Sequence, residues 1–392
     1  MTEGSWALWG RAFRPFFLGA GAYAALVVPL WVAMWLGFLA PPTWLDPPGW
    51  HGHELLFGFI AAAIAGFLLT AAPVWSGGPV LCGRPLAALL ALWVAGRAAM
   101  LAAGSLPPAL VAAVDGAFLP AVALAATRSL WGSGQHRNYG VVVLVAVLAA
   151  ANLTMHAQVL GVSSANAKGA LRFGIDAIVV LVLVIGGRIT PAFTANAFRK
   201  AGRDVALSSP AWLDTVTVGA ALASALAGAV LARGSVTGGL ALIAGTATLV
   251  RLGGWRSWHT RSDPLLWSLH AGIAWLGVGL LAVGAADLGA PVPAATGLHA
   301  MTAGGMGSMI LAVMTRVGLG HTGRPLVLPR TATAAYVLVH VAAAVRVVAP
   351  LAGPAQRWML GISAAAWAAA FLLFVVLYAP ILTTPRPDGK SG

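Results

Sequence analysis

Charge is scarce in this chain of 392 residues: Asp, Glu, Lys and Arg together make up 8% of it, against 59% hydrophobic residues. A water-soluble domain carries about 25% charged residues, so this chain cannot cover a soluble surface and is expected in a bilayer. Cysteine is rarer still. Cys82 stands alone, which excludes a disulfide framework, a four-thiolate metal cage and covalent haem attachment through a Cys-x-x-Cys-His pair. Any metal must therefore rest mainly on His, Met and oxygen. No Gly-rich stretch runs into Lys-Ser or Lys-Thr, so a P-loop is absent, and no Gly-x-Ser-x-Gly elbow offers a hydrolase nucleophile.

Apolar sequence of membrane length is abundant. A helix crosses a bilayer with about 20 apolar residues, and twelve such runs follow one another. They are Phe16 to Ala40, Leu55 to Ala72, Pro85 to Ala103, Pro108 to Leu130, Tyr139 to Gly161, Leu171 to Gly187, Ala211 to Ala232, Gly238 to Gly254, Leu265 to Ala286, Thr296 to Gly318, Thr331 to Ala349 and Trp358 to Tyr378. None alternates as a barrel strand must. The fold class is all-α: a single polytopic transmembrane domain over 1–392, with short polar termini at 1–10 and 384–392. If the amino terminus is inside, every basic residue except Arg97, Lys168, Arg172, Arg233, Arg346 and Arg357 falls on the cytoplasmic side. Both termini are then cytoplasmic by the positive-inside rule. The net charge of +13 is thus a topology signal, with some attraction to membrane lipid, and it lends no support to nucleic-acid binding.

Ionisable groups inside spanning helices are costly and are candidates for function. At about 1.5 Å per residue, His51, His53 and Glu54 at the start of the second helix, His156 near the end of the fifth and His299 at the start of the tenth share one depth near the outer face. Arg97, Arg346, Asp115 and Asp176 fall in the same half. Imidazole suits iron and copper, and guanidinium grips carboxylate bidentately, so Arg97 and Arg346 would suit the propionates of a non-covalent haem. Residues two apart on a helix diverge by about 200°, so His51 and His53 either lie in a turn or serve different partners. Glu54 could orient an imidazole, cap its helix or carry protons; it and Asp176 are the candidate proton carriers. His270 and His340, nearer mid-membrane, form a second candidate pair that could ligate another centre or bridge water.

Several polar motifs occur in an order that resembles the NnrS family. They include Phe13-Arg14-Pro15-Phe16-Phe17-Leu18, Trp50-His51-Gly52-His53-Glu54-Leu55-Leu56-Phe57-Gly58-Phe59 and Ala151-Asn152-Leu153-Thr154-Met155-His156. Further along come Gly186-Gly187-Arg188-Ile189-Thr190-Pro191, Leu266-Trp267-Ser268-Leu269-His270, Leu298-His299-Ala300 and Gly320-His321-Thr322-Gly323-Arg324. The resemblance implies a polytopic bacterial inner-membrane protein containing haem b and copper, linked to nitric oxide and relief of nitrosative stress, with an electron donor if the gas is reduced. It also adds Arg188 to the candidate cofactor-binding residues. Related textures at the ends of the second, sixth and tenth helices suggest three pseudo-repeats of four, similar to the catalytic subunit of haem-copper oxidases. The alternative function is a transporter or sensor for haem, copper or a small anion.

Overall fold

The computed structural model describes residues 7–42, 45–134, 136–164, 166–203 and 205–390, the side chains of 136–137 aside. The expected polar termini thus lie partly outside the described residues. Among these residues all regular secondary structure is helical, and twelve helices are long and apolar enough to cross a membrane. They are α1 (Phe13–Trp35), α2 (Pro47–Ser76), α3 (Gly83–Leu101), α4 (Pro108–Leu130), α5 (Asn138–Val159), α6 (Ala167–Lys200), α7 (Ala211–Val230), α8 (Ser235–Gly254), α9 (Pro264–Asp287), α10 (Ala294–His321), α11 (Arg330–Leu351) and α12 (Gly353–Thr383). Each corresponds to one apolar run of the sequence, with ends shifted by caps.

The caps are chemically ordinary. Asp46 accepts a hydrogen bond from Gly49 N at 2.9 Å and is followed by Pro47, whose fixed φ and missing N–H suit a first helical turn, so α2 starts earlier than hydropathy alone suggests. Gly77, at φ +70°, ends that helix in the left-handed conformation that glycine adopts without strain. Asp263 and Pro264 open α9 in the same way as Asp46 and Pro47 open α2.

Three helices are irregular inside. In α2 the stretch Glu54–Ile60 is π-helical, and in α10 so is Ala300–Gly307. Such bulges cluster at functional sites because they re-aim side chains on either side. In α4 regular helix stops at Gly116 and resumes at Phe118. Pro120 explains this break, since its ring has no N–H for the Gly116 carbonyl and crowds it.

The helices group into two compact units. The first holds Met1–Gly174, Met314–Val327 and Phe371–Gly392. Within it α2 is the central element, 83% buried over its most apolar stretch, and it packs against α1 and α4. The second unit holds Ile175–Val313 and Leu328–Ala370. Its tightest pair is α8 and α9, where a Cβ built on Gly245 would meet the Gly277 carbonyl oxygen at 2.8 Å and one on Gly284 would meet that of Gly238 at 2.8 Å. Close backbone approach of this kind supplies the packing attraction that lipid cannot.

Candidate metal centre

In the first unit the helix irregularities bring polar side chains together. His53 is the last residue before the π segment of α2 and Glu54 is its first; Asp115 sits just before the break in α4. Asn152 and His156 lie four apart on one face of α5, and Arg97 lies near the end of α3. All six are between 0% and 5% exposed.

Asp115 is the hub. Its Oδ2 accepts from His156 Nε2 at 2.8 Å and from Asn152 Nδ2 at 2.9 Å, and lies 3.2 Å from His53 Nε2. Its Oδ1 accepts from Arg97 Nη2. The same guanidinium donates through Nη1 to Glu54 Oε1 at 2.8 Å, and Tyr23 donates its hydroxyl to Glu54 Oε2. Glu54 Oε1 also lies 2.8 Å from His53 Nδ1, while His53 Nε2 is 2.9 Å from Asn152 Oδ1. Gly58 makes room for this: a Cβ there would come 2.7 Å from the Tyr23 ring and 3.0 Å from Arg97 Nη1.

Two carboxylates face one guanidinium here, so the cluster carries an excess negative charge that burial makes expensive. A proton on imidazole, or a metal cation, offsets it. Among the described residues, one group of His, Cys, Asp or Glu could hold an ion, namely His53, Asp115 and His156, whose ligand atoms all lie within 4.8 Å of one another. The donor set is two imidazoles and a carboxylate, the mixture suited to late first-row divalent ions. Glu54 behind His53 Nδ1 repeats the carboxylate–histidine arrangement that orients metal-ligating imidazoles elsewhere.

The other candidate residues of the sequence have different partners. His51 stacks on Trp31, ring centroids 4.1 Å apart, so the two histidines of that motif serve different partners on a helix rather than chelating from a turn. His270 has a hydroxyl on each nitrogen, Thr194 Oγ1 at 2.9 Å and Ser257 Oγ at 2.8 Å. His340 Nδ1 accepts from Trp275 Nε1 at 3.1 Å, and no metal-holding group joins it to His270 among the described residues. His299 belongs to the second unit, where its Nδ1 faces the Ala295 carbonyl oxygen at 2.6 Å. Asp176, the other candidate proton carrier, pairs with Arg233 at 2.8 Å in the second unit. Arg346 is half-buried on α11, and Arg188 is exposed on α6. The carboxylates that Arg97 grips belong to Glu54 and Asp115.

Three members of the network had no role assigned from sequence: Tyr23, Asn152 and Asp115 as a ligand. A signal was present for two of them. Asn152 precedes His156 by four, and Pro120 announces a break just after Asp115. The family described as NnrS protein matches residues 7–386 of the chain. No curated protein matches it.

Proposed function

Because the chain belongs to the NnrS family, we propose that it is a metal-dependent membrane protein of nitric oxide metabolism, acting at a centre held by His53, Asp115 and His156. The observation that carries this reading is the buried triad itself, with Glu54 hydrogen-bonded behind His53. A bound copper ion would supply a one-electron couple and a coordination position for a diatomic. Around it the chain's own groups have defined tasks. Arg97 neutralises the two carboxylates and fixes their spacing. Glu54 orients His53 and, with Tyr23, offers the nearest place to hold a proton. Asn152 turns its amide toward Asp115 and its carbonyl toward His53, leaving Asp115 Oδ2 directed at the imidazoles.

A haem does not fit at this cluster. The rings of His53 and His156 are 5.6 Å apart at their centroids with a carboxylate oxygen between their nitrogens, which leaves no room for a macrocycle. The haem b that the family resemblance implies is better sought at His299, whose Nδ1 is committed to the Ala295 carbonyl so that Nε2 is the atom left for iron. Nitric oxide is small, uncharged and soluble in lipid, so it reaches a site within the spans without a polar channel. The excess of basic residues on one side of the spans supports a reading with both termini cytoplasmic and the cluster in the opposite, outer half of the membrane. Anaerobic nitric oxide consumption by purified protein with a supplied reductant tests the reading. Turnover that is lost in His156→Ala supports it. No turnover, together with protein-dependent copper flux into proteoliposomes, would replace it with transport.

A further inference from the structure

The first unit also contains a cavity of 360 Å³ whose walls include Asp46, Gly49, Met155, Val159, Lys168 and Leu171. Two of these walls are the helices that supply the imidazoles. On α2 Gly49 precedes His53 by four residues on the same face, and on α5 Val159 follows His156 by three. At about 1.5 Å per residue the cavity therefore begins roughly 5 to 6 Å beyond the imidazoles, one helical turn nearer the helix ends. Met155, next to His156 in the chain, is 3% exposed and lines the cavity.

One ion pair bridges the rim. Lys168 Nζ lies 2.9 Å from Asp46 Oδ2, with the lysine side chain 77% exposed and the aspartate 45% exposed. The other oxygen of Asp46 caps α2, the helix that carries His53. The amide side chains in the lining are committed to the first turn of α6. Gln158 Oε1 accepts from Ala167 N, and Asn166 Oδ1 accepts from Lys168 N and Gly169 N. An incoming solute thus meets a carboxylate paired with an exposed lysine and then a thioether. A carboxylate attracts hydrated cations, whereas a thioether retains only soft or borderline ones. At about 30 Å³ per water, the space holds about a dozen waters, enough for an ion with its inner hydration shell.

We propose that this cavity is the loading vestibule of the metal centre: a late first-row transition-metal cation exchanges with Lys168 at Asp46, sheds water past Met155 and is delivered to His156 and His53. The proposal rests on the metal reading of the cluster and goes beyond it by assigning a second, transient cation site and its residues. Cobalt(II) ion alone is the test probe, added to metal-free full-length protein in nanodiscs, because its visible bands report imidazole and carboxylate coordination. Val159→Trp narrows the cavity, Lys168→Gln releases the rim, and Asp46→Asn removes the charge while keeping a good helix cap.

Val159→Trp is expected to slow both cobalt loading and its removal by a chelator about tenfold, a barrier change of about 1.4 kcal/mol, with the equilibrium affinity unchanged. Lys168→Gln is expected to speed loading and Asp46→Asn to slow it. Lys168 is a surface residue, so its result stands even if the tryptophan variant fails to fold. Unchanged loading rates in Val159→Trp and Lys168→Gln, with cobalt bands that still require His53 and His156, would overturn the vestibule while leaving the centre intact. Absent bands in the wild type, or bands that survive the His53→Ala/His156→Ala double substitution, would overturn the centre and the vestibule together.

Discussion

His53 and His270 are both imidazoles sealed within apolar helices, 0% and 3% exposed, and their surroundings differ in kind. His53 faces carboxylates: Glu54 at one nitrogen, Asp115 beside Asn152 at the other. His270 faces hydroxyls, Thr194 and Ser257, one on each ring nitrogen, so that one can accept from the ring N–H and the other donate to the bare nitrogen. Depth in the membrane made both residues candidates, and partner chemistry separates them. Hydroxyls satisfy a neutral ring and anchor it, whereas a carboxylate pair around an imidazole creates a site with negative charge to offset.

The largest expected effect tests that charge. Arg97→Leu leaves Glu54 and Asp115 buried without their shared cation, and removal of one partner from a buried ion pair costs about 3–5 kcal/mol. The variant should unfold at markedly lower temperature in detergent. His270→Ala should cost about 1–3 kcal/mol, the range for losing buried neutral hydrogen bonds, and should leave metal content unchanged. Equal destabilisation by the two substitutions would erase the distinction between a charged cluster and a hydroxyl-capped histidine.

The smallest effect lies at the rim of the first unit. The hydrogen bond from Lys168 holds the Asp46 carboxyl below the usual carboxylate range. A depressed carboxylate contributes stability above its unfolded pKa of about 3.9 and loses it as pH falls through the lower folded value. Asp46 is exposed enough for solvent to screen this, so the contribution is below about 1 kcal/mol. Thermal stability should fall slightly more steeply for the wild type than for Asp46→Asn as pH drops from 5 toward 3, an interval set by that carboxylate's unfolded pKa of about 3.9. Parallel curves would remove Asp46 and Lys168 as an ion pair.

Much of this architecture is legible in the sequence because lipid demands long apolar helices, and each of the twelve runs became one span. His53 and His156 were also legible, since a depth count from opposite helix ends brings them level. The count could not choose among histidines at that level. It grouped His51 and His299 with them, although His51 stacks on Trp31 and His299 turns toward its own helix's carbonyl. Rotation about the helix axis decides such matters, and local breaks reset it. The π segment after His53 has no marker in the sequence, and the break after Asp115 comes from Pro120; hydropathy encodes neither. The sequence offered Arg97 to the propionates of a haem, whereas in the structure it bonds carboxylates of α2 and α4, a pairing that only the packed unit reveals.

The most direct test of the central claim is the non-haem metal content of the purified membrane protein, measured for the wild type, His270→Ala and the His53→Ala/His156→Ala double variant. Binding at one folded site fixes about one ion per chain, so the expected result is stoichiometric metal in the first two proteins and its loss from the third. Equal metal in all three would contradict the assignment of the centre to His53, Asp115 and His156.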